Sequence, residues 1–265
     1  MIDPSVVALS VIVAFFYVRG VRIVRRDAIP IRRRVSFFAG LLALCVALSR
    51  YVEGAAATKF SAHMAQHMIL LVVAPPLLVY GRPALALLMS MSLSTRRRVR
   101  HIESGDPAGF VLRVGGHPAV VGALYTVALW SWHLPAAYQE AIRSAPVHVG
   151  EHLTFLAVGL LFWGTVIGAG TRRRVSYPAA LALVFATMLP GVWLAMILTF
   201  APHLVYPVYG SHAGALADQE LAGALMWAPM ALISSVAIGT LVLRWFRVLD
   251  MRNAARPEIR IAGQP

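Results

Sequence analysis

A single cysteine, Cys45, stands among the 265 residues. That excludes an intrachain disulfide and any CxxC metal or redox motif. Charge is scarce as well. Only 13% of residues are charged, where a soluble domain holds about a quarter. Together with 59% hydrophobic residues and a mean hydropathy of +0.71, this predicts an integral membrane protein with several spans. Acidic residues number 11 against 24 Lys and Arg, for a net charge of +13. In a membrane chain such a balance points to arginine-rich cytoplasmic loops, and no nucleic-acid partner is expected. No nucleophile–base pair, phosphate loop or nucleotide motif is found, so no enzyme is expected. No AxA-like cleavage site follows the first apolar segment, which reads as a retained span.

What is present predicts an all-α, polytopic membrane fold in one domain over residues 1–265. A hydrocarbon core of about 30 Å needs roughly 20 helical residues. Seven segments approach that length, at about 4–24, 35–51, 62–80, 118–134, 147–169, 177–200 and 221–249. Residues 83–93 are apolar but too short to cross, and read as an interfacial helix. Of the 24 Lys and Arg, 21 fall in alternate connections and the C-terminal stretch; only Arg50, Lys59 and Arg143 fall elsewhere. The positive-inside rule then predicts seven transmembrane helices, with the N-terminus outside and the C-terminus cytoplasmic. The same arginines predict attraction to anionic lipids of the bilayer on the cytoplasmic side, at about 1 kcal/mol per charge near the surface.

On this topology seven of the nine histidines share the outer face. His63 and His67 open the third span, and His148 and His152 open the fifth. Residues four apart share a helix face, with Cβ atoms about 6 Å apart, so each pair can serve one metal ion or cofactor. His133 ends the fourth span, and His203 and His212 lie in the last outer loop. Imidazole ligates metals only when neutral, and a helix N-terminus disfavours its protonated form. Ser61 and Ser144 read as the caps of those two helices. Glu151 precedes His152 and can orient a ring. Met64, Met68, Met196 and Met226 are the nearby thioethers. Imidazole with thioether suits copper; histidines with carboxylates alone would equally suit zinc. Pro75-Pro76, Pro190-Gly191 and Pro229 predict breaks in the third, sixth and seventh spans. Tyr206 and Tyr209, with the tryptophans, read as interface markers. The alternative to a metal site is a haem- or quinone-interacting redox protein using the same histidines as axial ligands.

Three runs carry a resemblance: His63 to Pro83 (HMAQHMILLVVAPPLLVYGRP), Trp132 to Trp163, and Asp218 to Pro229 (DQELAGALMWAP). They resemble the multi-span CtaG-like cytochrome c oxidase assembly factors associated with caa-type oxidases. The resemblance implies a non-enzymatic factor in the bacterial cell (inner) membrane, with cytochrome c oxidase subunits as partners. It also implies copper supplied or placed on the outer side. His63 and His67 match the family's HxxxH, His133 its WHLP, Glu151 and His152 its EH pair, and Asp218 its DQ.

Overall fold

The computed structural model describes residues 4–25, 27–104, 116–168, 175–210 and 213–254. These are all-helical: α1 (Pro4–Ile23), α2 (Ile31–Ala47), α3 (Arg50–Ala56), α4 (Phe60–Tyr80), α5 (Pro83–Ser90), α6 (Leu93–Ser104), α7 (Pro118–Trp132), α8 (Pro135–Arg143), α9 (Ala145–Ile167), α10 (Tyr177–Phe200) and α11 (Ala215–Ala254), with a 3₁₀ turn at Pro207–Tyr209. Among the described residues, five helices are long and apolar enough to cross a membrane: α1, α4, α9, α10 and α11.

The other two expected spans are shorter. Val35–Tyr51 is not one helix: α2 spans 17 residues and stops at Ala47, and Ser49 caps α3 by accepting from Val52 N at 3.4 Å. Helix α7 spans 15 residues and ends at Trp132, because Pro135 biases Leu134 away from helical backbone. Pro83–Ser90 is a separate helix whose Ala86 is fully buried, and it packs on α1.

Helix α4 is the axis of the bundle. Two-thirds of its apolar window is buried (67%), against 17–39% in the other four long helices. Helices α2, α9 and α11 all pack on it. Pro75 and Pro76 have no N–H for the Leu71 and Val72 carbonyls. The helix accommodates them with a π-helical turn over Ile69–Val73, a common site of such bulges. There a Cβ on Gly159 would lie 2.9 Å from the Leu71 carbonyl, so glycine lets α9 approach the bulge closely. Pro190 and Pro229 sit inside continuous helices. A second, smaller core joins α1 to the α4–α5 corner, with Tyr17 stacked on Phe37 at 3.7 Å and its hydroxyl donating to Gly81 O at 2.9 Å. Cys45 is half-buried, with Sγ 3.3 Å from Ser10 Oγ.

Candidate metal centre

The start of α4 is fixed from another helix. Asp218, in the first turn of α11, accepts from Phe60 N at 2.7 Å and Ser61 N at 3.3 Å, and also from the Ser61 hydroxyl. A carboxylate there satisfies donors that a helix start leaves unpaired. Ser61 is therefore not the cap, and Asp218 is a capping group rather than part of the histidine cluster. Ser144 occupies the cap position of α9 but makes no side-chain capping bond. Next to Asp218, Gln219 accepts from Val205 N at 2.7 Å and donates to the His203 carbonyl at 3.2 Å. The DQ pair thus clamps α4 and the α10–α11 loop.

One turn further in, both histidine pairs meet around Glu151. His148, Glu151 and His152 occupy one face of α9, as their spacing of three and four requires. One ligand atom from each of His63, His148, Glu151 and His152 can be chosen so that all lie within 4.8 Å of one another. The Glu151 side chain has no exposed surface and lies 3.6 Å from His63 Nε2 and 3.5 Å from His67 Nε2. Neither of its oxygens has a hydrogen-bond partner, and the same holds for His67 Nδ1, His148 Nε2 and His152 Nε2. A buried carboxylate that accepts no hydrogen bond costs several kcal/mol, and such groups are normally held by a full set of donors or by a metal.

The outer nitrogens are held. Tyr209 donates its one proton to the Ala56 carbonyl at 3.0 Å. Its oxygen, 3.1 Å from His63 Nδ1 and 3.1 Å from the Tyr138 hydroxyl, must then accept from both. His63 therefore carries its proton on Nδ1, and its Nε2 lone pair faces inward. His67 Nε2 donates to it at 2.8 Å. On the other pair, Glu53 faces His148 Nδ1 at 3.6 Å and His152 Nδ1 at 3.9 Å. It is itself held by Gln66 Nε2 at 3.1 Å. A carboxylate on the far nitrogen of an imidazole is the usual orienting partner of a metal-binding histidine.

His133 stands beside this group. Its Nδ1 donates to the Leu129 carbonyl at 2.7 Å, which leaves the Nε2 lone pair 3.4 Å from the Met64 sulfur. That is a softer donor pair adjoining the cluster, with the His133 and His67 rings 6.0 Å apart. Met226 is buried in the general core. Met196 is 44% exposed on the outside of α10, and His203 is exposed in its loop; neither joins the cluster. His212 lies outside the described residues.

The sequence reading missed Glu53, Gln66 and Tyr138, and read Tyr206 and Tyr209 only as interface markers. Both tyrosines are buried. Tyr206 donates to the His133 carbonyl at 2.7 Å and stacks on Tyr138 at 4.1 Å. Phe60, Tyr138, Tyr206 and Tyr209 thus close over the histidines from the loop side. Burial raises the pKa of all three tyrosines, so their hydroxyls stay protonated and keep the hydrogen-bond pattern above. Helix α3 folds Glu53 back toward α9.

An ion fits this donor set. Bonds of about 2.0–2.1 Å put the donors of a tetrahedral site roughly 3.3 Å apart, so side-chain adjustments on the order of 1 Å would complete it. Imidazole and carboxylate are donors for Cu(II) or Zn(II).

The sequence matches the family described as cytochrome c oxidase caa3 assembly factor (Caa3_CtaG) over residues 15–248. Uncharacterized proteins of Mycobacterium bovis and Mycobacterium tuberculosis are each 26% identical over 97% of this chain, and one of Mycobacterium leprae is 27% identical over 97%. The chain spans 40% of the length of these relatives. No solved structure matches. Coverage of nearly the whole helical bundle by one family places this chain in the cytochrome c oxidase caa3 assembly factor family.

Proposed function

We propose that the chain binds one copper ion at His63, His148, Glu151 and His152, with His67 against them, and hands it to a cytochrome c oxidase subunit as a non-enzymatic carrier. The observation that carries this reading is the wholly buried Glu151 carboxylate, which accepts no hydrogen bond and stands 3.5–3.6 Å from two imidazole nitrogens. A cation would satisfy all of these groups at once. Copper heads the affinity order of divalent ions at such donors, and the oxidase-assembly family supplies a need for it. The imidazoles pack against one another, with His63 and His148 centroids 5.1 Å apart and His67 and His152 centroids 5.8 Å apart. That spacing favours a single ion over a macrocycle held between two rings.

With seven spans, α2 and α7 crossing as short helices, the arginine-rich connections lie in the cytoplasm. The histidine cluster then sits near the outer surface of the bacterial cell membrane. Glu53, with its side chain 38% exposed, and His148, with 17%, are its open edge, and copper enters and leaves there.

The test is copper content of the detergent-purified protein beside Glu151→Gln, which keeps the size of the side chain and removes its charge. About one copper per chain in the parent and under a tenth of that in the variant is the expected result. Equal copper in two folded proteins would overturn the reading. Oxidase activity of membranes carrying each form should follow the copper.

A further inference from the structure

At the other end of the bundle, α2, α4, α9 and α11 line an open-sided cavity of about 400 Å³, within the range of sites that hold small molecules. It runs along α11 from Ile233 to Arg244, roughly 16 Å at 1.5 Å per residue. Its walls are aliphatic for most of that length, with Val73, Leu77 and Val166 among them.

Two features break the apolar lining. Trp163 lines the cavity and is 3% exposed, yet its Nε1–H has no hydrogen-bond partner. A buried indole N–H usually has an acceptor. At the rim stand Arg244 and Tyr80, and the Arg33 guanidinium lies 5.0 Å over the Tyr80 ring. Arg33 is partly buried, with the positive charges of Arg82, Arg32 and Arg244 near enough to act on it. Among the described residues no carboxylate lies within 4 Å of Arg33, Arg82 or Arg244. Unpaired positive charge therefore gathers at one end of an apolar slot, with the Trp163 N–H buried in its wall.

We propose that this cavity is a binding site for one anionic glycerophospholipid. Its phosphate rests on Arg33 and Arg244, and one acyl chain fills the slot toward Val73 and Ile233. Basic pockets between membrane helices recognise anionic head groups in this way. The site is separate from the histidine cluster and does not depend on copper.

The experiment is native mass spectrometry of the whole chain in detergent, titrated with phosphatidylglycerol or with phosphatidylcholine of the same acyl chains. One phosphatidylglycerol per chain should bind about ten-fold more tightly than phosphatidylcholine. Arg33→Gln with Arg244→Gln should remove that preference. Arg247→Gln with Arg252→Gln, an equal loss of charge further along α11, should change nothing. Equal binding of the two lipids by the parent, or equal losses in both arginine pairs, would show a general surface attraction and overturn the site. Stoichiometric recovery of a quinone in place of phospholipid would overturn it as well.

Discussion

The two His-x₃-His pairs share one spacing and a similar place near the start of their helices, but they meet different surroundings. On α4, His63 and His67 have no exposed surface and contact each other through Nε2 atoms 2.8 Å apart. On α9, His148 and His152 turn Nδ1 toward Glu53 at the open edge and leave Nε2 buried and unpartnered. Spacing decides that two rings share a face. What stands opposite decides which nitrogen each ring presents and how much the fold depends on it. The α4 pair is part of the core, whereas the α9 pair is a partly open wall of the same site.

That difference can be broken by mutation. Replacing both α4 histidines (His63→Ala with His67→Ala) should abolish copper binding. It should also destabilise the protein by about 3–5 kcal/mol, because it opens a cavity and strands the Glu151 charge. The matching pair on α9 (His148→Ala with His152→Ala) should lose copper as completely but cost only about 1–2 kcal/mol, since His148 is partly exposed. Thermal unfolding in one detergent, alongside metal analysis, checks both. Equal destabilisation would erase the distinction between core pair and wall pair.

A smaller effect sharpens the comparison on the open side. Glu53→Gln should leave one copper per chain and weaken its affinity roughly 10–100-fold, the usual cost of removing a group that orients ligand imidazoles. Competition titration against a chelator of known affinity measures it, and unchanged affinity would remove Glu53 from the site. On the sealed side, Tyr209→Phe takes the acceptor from His63 Nδ1–H and the donor from the Ala56 carbonyl. A loss of about 1–3 kcal/mol of stability is expected, with copper stoichiometry kept. Smallest of all, Met196→Leu and His203→Ala should each stay within about 0.5 kcal/mol of the parent and bind copper normally. A copper loss in either would move the site toward α10 or its loop.

The histidine pairs, Glu151 and the broken α4 were legible because helical spacing and proline chemistry act locally. Glu53 was not, because its role depends on where α2 ends. A break at Leu48 turns α3 back across the bundle, and nothing local in Arg50–Ala56 reports what lies opposite. Met196 shows a second limit. Its depth along α10 could be read from span boundaries, but α10 is apolar all round, and such a helix does not announce its buried face. Asp218 was visible as part of a polar pair with Gln219, yet its work is to cap a helix more than 150 residues away in sequence. Tyr206 and Tyr209 have the composition of an interfacial belt, and only the loop's fold over α4 makes them a lid.

The most direct measurement is copper X-ray absorption of the Cu(II)-loaded protein. About four nitrogen and oxygen neighbours near 2.0 Å are expected, in line with ordinary imidazole and carboxylate bonds, with no sulfur shell, because Met64 faces His133 and Met196 faces outward. A sulfur shell near 2.3 Å, or copper that stays bound in Glu151→Gln with the same spectrum, would contradict a site centred on Glu151.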